Sequence, residues 1–274
     1  MRAAHIVAVV GLAVSASAMA NPNGPIYNNG PLSTGPTTLS GRAAPVGFTW
    51  SEVANDLPTQ SNTVAGFSGH VSGTTGAFRL ADDFTVPVGE VWNVSGFCTY
   101  GYQTGSAATF NPISGGSFNV WSGRPGDVGS VVIGTAAYSA TTNTTMYRIF
   151  NTVAPPPGSP QGTTRLIREV EWSTALSLGP GTYWIDFQYT PTTAGTSVFV
   201  PSVTIPGVRG LPGWNGRQLT TTGWIDAIDA GNPATAPDFI QDFPFVVKGK
   251  IIPTQGAAAL LAIGSLVVAR RRRA

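Results

Sequence analysis

From Gly181 to Thr190 the chain alternates. Tyr183, Ile185, Phe187 and Tyr189 fall on one face of an extended strand, and Thr182, Trp184, Asp186 and Gln188 on the other. A period of two marks a half-buried strand, and Gly179-Pro180-Gly181 in front of it supplies the turn. Runs of the same character cover 78–86, 91–102, 117–121, 130–139, 146–153, 165–172, 197–205, 218–225 and 243–252, and almost nowhere does a helical period appear. This many short strands punctuated by Gly and Pro predicts an all-β fold, an antiparallel two-sheet β-sandwich of the jelly-roll kind, with a barrel as the alternative.

The ends read differently. Arg2, an apolar run over 6–16 and the small residues of Ala18-Met19-Ala20 predict a signal peptide over 1–20, so the chain is expected to be exported and to begin at Asn21. Residues 21–42, rich in Pro, Gly, Asn and Thr, read as a flexible leader; 43–252 form the β-sandwich domain; and 253–274 are a separate terminal segment. Ala154-Pro-Pro-Pro-Gly-Ser-Pro160 reads as a stiff loop between two strands.

Charge and composition refine this picture. The formal net charge is +2, from fifteen Lys+Arg against thirteen Asp+Glu. Arg2 and Arg270–Arg273 belong to the ends, which leaves ten bases against thirteen acids, a body at −3. No basic face points to nucleic acid. Only 10% of residues are charged, but seven Trp, thirteen Phe and seven Tyr supply a core, since each ring buries about 150–250 Å². With one cysteine there is no internal disulfide, and Cys98, in an apolar strand, reads as a buried inert thiol.

Catalytic groups are sparse. His70 is the single histidine after residue 20 and lies in Ser68-Gly69-His70-Val71-Ser72-Gly73, which reads as an exposed loop without a triad partner. One His and one Cys exclude an ordinary His/Cys zinc site, and no phosphate-cradling loop precedes a helix. Glu169 and Glu171 share a strand face, the starting geometry of a glycoside hydrolase or lyase pair, although a solvated face explains them more simply. The chain is therefore read as non-enzymatic. Asp82 alternates with Phe78, Leu80, Phe84 and Val86 on the inward face, where a lone carboxylate is costly. A bulge, backbone N–H donors or a calcium ion would resolve it, although Asp226, Asp229, Asp238 and Asp242 match no calcium loop. The best binding candidate is a glycan site from Trp214, Asn215, Arg217, Trp224 and Asp226: indoles stack on sugar rings while amides and carboxylates bond hydroxyls. A satellite core under the loop is the competing reading.

The last segment is Pro253-Thr254-Gln255, an apolar run over 257–269, then Arg270, Arg271, Arg272 and Arg273. Thirteen residues make about 20 Å of helix, short of the ~30 Å hydrocarbon core, and the arginines hold the end on the cytoplasmic side. A short C-terminal hydrophobic helix retained transiently in the inner membrane is expected. This order of proline motif, apolar helix and arginine cluster resembles the PEP-CTERM sorting signal of Gram-negative bacteria. The resemblance covers 253–274, and the family's Pro-Glu-Pro appears here as Pro253-Thr254-Gln255. It implies an exosortase-like processing enzyme as partner, cleavage near the motif, and release or attachment at the cell surface, often in connection with exopolysaccharide and biofilm. Ala81-Asp-Asp-Phe-Thr-Val-Pro87 and Gly181-Thr-Tyr-Trp184 are similar to β-sandwich bodies that such proteins carry.

Overall fold

The computed structural model describes residues 23–54, 64–72, 76–150, 162–231 and 234–254. The described residues form seventeen strands and no helix. In chain order they are β1 (Pro25–Asn28), β2 (Thr49–Glu52), β3 (Phe67–Ser68), β4 (Val71–Ser72), β5 (Gly76–Ala77), β6 (Arg79–Val86), β7 (Glu90–Gly101), β8 (Ile113–Trp121) and β9 (Val132–Ile149). There follow β10 (Leu166–Leu178), β11 (Gly181–Pro191), β12 (Phe199–Val200), β13 (Arg217–Thr220), β14 (Gly223–Asp226), β15 (Ile228–Asp229), β16 (Phe239–Ile240) and β17 (Phe245–Pro253).

Eleven strands make one large sheet, ordered β1-β17-β7-β10-β9-β8-β11-β6-β13-β14, with β2 pairing β9 beside this path. All its ladders are antiparallel except β2–β9. β12–β3, β15–β16 and β4–β5 are small separate pairs. β6 and β7 are joined only by Pro87-Val88-Gly89, yet four strands lie between them in the sheet order. The Phe84 ring of β6 stacks on Trp92 of β7 at 5.8 Å, and Phe97 of β7 stacks on Phe118 of β8 at 4.6 Å. Apolar residues of β6, β8 and β11 thus share one core cluster with those of β7, β10 and β17.

The inward face of β11 is the one the sequence predicts: Ile185, Phe187 and Tyr189 are buried in that cluster and Tyr183 packs against it. Trp184, Asp186 and Gln188 on the other face are buried as well, so the strand is not half-buried as expected. A single hydroxyl organises its centre. Thr99 Oγ1 accepts from Trp172 Nε1 and from Tyr189 Oη, each at 2.8 Å.

Arg148 and Arg168 are buried, and both donate to carbonyl and side-chain hydroxyl or amide oxygens. Arg148 donates to Ala65 O (2.6 Å), Ser51 Oγ (3.0 Å) and Thr204 Oγ1 (2.6 Å), tying β2 to neighbouring loops, and burial lowers its pKa to about 10. Arg168 donates to Ala107 O and Phe110 O, at 2.9 and 3.0 Å, and holds the β7–β8 loop.

Several expectations change. The two strands expected over 130–139 and 146–153 are one, β9, whose eighteen residues pass from β8 to β10 to β2. The run 218–225 is a hairpin, β13–β14, and of 197–205 only β12 is strand. The stretch 21–42 is not a flexible leader where it is described: β1 pairs with β17, Ile26 and Tyr27 pack on the core, and Leu32 is buried. Three apolar side chains and an edge ladder outweigh the turn-rich composition around them. Among the described residues, the stretch 23–42 therefore belongs to the folded body. The segments expected to be a signal peptide, a stiff loop over 154–160 and a terminal helix lie outside the described residues, as do Gln255 and Arg270–Arg273.

Candidate functional site

Three polar sites stand out, and the hairpin comes first. β13 lies against β6, and cross-strand register sets Arg217 opposite Asp226 and Leu219 opposite Trp224. The Arg217 guanidinium donates to Pro125 O at 2.6 Å and to Trp224 O at 3.0 Å, and its Nε is 3.7 Å from Asp226. Asp226 also receives Arg124 at 2.5 Å, and Arg124 lies 5.8 Å over the Trp184 ring. A Cβ on Gly126 would come within 2.9 Å of Trp224, so the β8–β9 loop sits directly on that residue. Arg217, Trp224 and Asp226 thus meet, as the sequence suggests, but their polar groups are engaged in fastening the hairpin to a loop. The Arg124–Asp226 pair is about one-third exposed on each side, and such pairs are worth about 1 kcal/mol or less.

Trp214 and Asn215 answer to a different partner. Trp214 N donates to Leu211 O at 3.2 Å and Asn215 N to Asp242 Oδ1 at 2.7 Å. Trp214 is half-buried, and Asn215 Oδ1 is buried with no hydrogen-bond donor among the described residues. Sequence reasoning missed Arg124, Asp127 and Trp184, which complete the hairpin contacts. It also missed the fully buried Asp186, which accepts from Arg79, Asn119 (3.0 Å) and Trp121 (2.5 Å). The one signal was a Trp and an Asp together on the polar face of β11.

The second site is Asp82, fully buried on the inward face as predicted. Its Oδ2 accepts from Asn29 Nδ2 at 2.9 Å and Phe243 N at 2.5 Å, and its Oδ1 from Asp83 N at 2.8 Å. Of the three ways to accommodate it, backbone N–H donors, joined by the Asn29 amide, are the arrangement found. Burial pushes its pKa well up, and the charge of Asp242 adds to this; the N–H bonds from Phe243 and Asp83 pull the other way and are outweighed. Asp242 is itself pushed up to about 6, chiefly by burial, with Asp83 adding and the Asn215 and Gly216 N–H groups opposing.

The third site spans β7, β10 and β17. Donor atoms of Cys98, Glu169 and Glu171 lie within 4.8 Å of one another, the one such trio of His, Cys, Asp or Glu among the described residues. Its positive charge is supplied internally: Lys248 Nζ is 3.0 Å from Glu171 Oε1, while Cys98 Sγ is 3.6 Å from Glu169 Oε1. An inverting glycosidase needs its carboxyls about 6.5–9.5 Å apart to admit water, a wider gap than this face offers. Burial pushes the Cys98 thiol up to about 12, against the opposing pull of Lys248. Cys98 is therefore expected to resist a disulfide-exchange reagent at pH 8 in the folded protein and to react fully in denaturant. Rapid labelling of the folded protein would contradict this burial.

His70 corrects the sequence reading. It is buried, its Nδ1 lies 3.0 Å from Val198 O, and its ring faces Phe78 at 5.8 Å; the Gly/Ser loop folds under the β12 region and takes it inside. No protein family, no curated protein and no solved structure matches the chain.

Proposed function

We propose that this chain is an exported cell-surface or extracellular-matrix protein without enzymatic activity, held transiently at the inner membrane by a PEP-CTERM-like tail and then processed. Its body is read as a two-layer β-sandwich, supported by the short β6–β7 link and the ring contacts between opposite parts of the large sheet. One observation carries the functional reading. Pro253 closes β17 opposite Glu90, Thr254 N donates to Gly89 O at 2.8 Å, and the apolar run and arginines follow directly. The proline motif thus begins in the last rung of the fold. Because Pro253 ends β17 and Thr254 is tied to Gly89 O, cleavage is expected beyond Thr254. The mass of the extracellular protein should correspond to a chain starting at Asn21 and lacking Arg270–Arg273; a mass retaining the arginine cluster overturns the reading.

A second reading, a carbohydrate-binding module for exopolysaccharide, draws on Asn215 Oδ1, a buried acceptor with no donor among the described residues, beside the half-buried Trp214. Under it, alanine at Trp214 and Trp224 abolishes binding in a polysaccharide pull-down. Unchanged binding removes it.

A further inference from the structure

The large sheet is dented at one row. Between β7 and β10 the register shifts so that Ser173 faces Gly96 and Leu176 faces Val94, leaving Thr174 and Ala175 opposite Ser95. On the other side of β7, Lys248 faces Gly96 while Gly249 faces Val94, so there Ser95 itself is the extra residue, whereas against β10 the extra residue is on β10. Bulges bend a strand and interrupt its ladder, and two at one residue open a groove of about 460 Å³. Val94, Ser95, Thr174, Ala175, Leu176 and Lys250 line it, and Lys250 is the one charged group among the lining residues.

The end of the fold is close by. Lys250 pairs with Asn93 and Pro253 with Glu90, so three residues, about 10 Å of strand, separate the groove from the point where the chain leaves the sheet. Gln255 and Gly256 come next, then thirteen residues, 257–269, without a charge. A reversal at Gly256 followed by a handful of residues, at about 3.3–3.6 Å each, would be enough to bring Leu260, Leu261 and Ile263 back over the dent. In water these side chains gain roughly 25 cal/mol for each Å² they bury. The Lys250 stem can lie along them with its ammonium in solvent, and Arg270–Arg273 fall far enough on to stay hydrated.

We infer that this groove is the docking site of the chain's own apolar tail, occupied around Leu260–Ile263 when the tail is not in a bilayer. The precursor then shields its hydrophobic address on its own surface, and membrane insertion draws the tail out. This goes beyond the sorting role and holds whether or not an enzyme later cuts the tail.

Hydrogen exchange on the full chain from Asn21, without detergent, tests it. Peptides covering 92–96 and 173–177 should exchange at least about five-fold more slowly than in the Leu260→Asp/Leu261→Asp variant, because docking suppresses local opening. Ala175→Arg, which fills the groove, should abolish the difference, and phosphatidylglycerol vesicles should restore fast exchange. Equal rates in the full chain and the double variant overturn the inference, as does protection that survives Ala175→Arg. Protection that grows with protein concentration means a second copy supplies the tail, and this too overturns docking within one chain. Neither result bears on the mass of the processed protein, so this inference and the sorting reading fail separately.

Discussion

Replacing Trp172 by alanine is expected to lower the unfolding free energy by about 3–5 kcal/mol, as buried Trp truncations do. The indole sits where opposite parts of the large sheet meet: its ring lies 5.3 Å from Phe118, 6.1 Å from Tyr138 and 6.3 Å from Tyr189. Its Nε1 bond to Thr99 is lost with it. Cys98 is the chain's only cysteine, so no internal disulfide restrains the unfolded state and packing bears the whole cost. At about 2–4 °C per kcal/mol for a body of this size, near-UV circular dichroism should show the melting midpoint fall by about 6–20 °C. A loss below about 1 kcal/mol would mean that Trp172 is not central to the core. Thr99→Val is the finer probe. It nearly keeps shape but strands two buried donors, each at about 1–3 kcal/mol, so it should approach the Trp172→Ala effect with almost no cavity. The partly exposed Arg124–Asp226 pair stays within about 1 kcal/mol when broken. Apolar burial and internal hydrogen bonding therefore hold this body together, in keeping with its low charge content.

What could be read in advance depended on how local the cause was. In β11 and β6 the inward face follows from alternation, so Ile185, Phe187, Tyr189 and the inward Asp82 were legible, whereas the burial of Trp184, Asp186 and Gln188 on the other face of β11 was not. β9 was not: residues 139–145 are Ser, Ala, Thr and Asn on both faces, so the period disappears where the strand changes partners. His70 and β1 were misjudged because turn-rich composition describes a segment by itself, whereas their burial comes from residues far along the chain. Arg148 carried no signal at all. Charge pattern places arginine at the surface, and nothing local announces that Ser51, Ala65 and Thr204 will converge on it. The hairpin lies in between: Arg217 and Asp226 were noticed as sugar ligands, but their cross-strand register makes them partners of each other and of the loop at Arg124–Asp127.

The acid pair sets the pH dependence, and its direction runs against the usual one for carboxylates. Asp82 and Asp242 both hold their protons more tightly when folded than when unfolded, chiefly because burial disfavours the charged form. Such a group stabilises the fold fully below its unfolded value, and that stabilisation is lost as pH rises through the folded value. For Asp242 the window runs from the ordinary 3.8 to about 6; for Asp82 it extends upward from the same lower edge. The pair's contribution to the melting midpoint should therefore decline as pH is raised from about 4 to 7. Asp242→Asn tests the Asp242 share of this effect, since its amide oxygen still accepts from Asn215 N while the charge facing Asp82 is gone. The variant should be more stable than the parent at pH 7 and show a flatter profile between pH 4 and 7. Asp82→Asn should go the other way. Both oxygens of Asp82 accept N–H bonds, so an amide NH₂ must face a donor whichever way it turns; at about 1–3 kcal/mol for each buried group left unsatisfied, this loss outweighs removal of the charge. Opposite signs for two Asp→Asn changes in one pair distinguish a carboxylate kept for its geometry from one that only adds charge. If Asp242→Asn left the pH profile unchanged, Asp242 would not be the group that titrates.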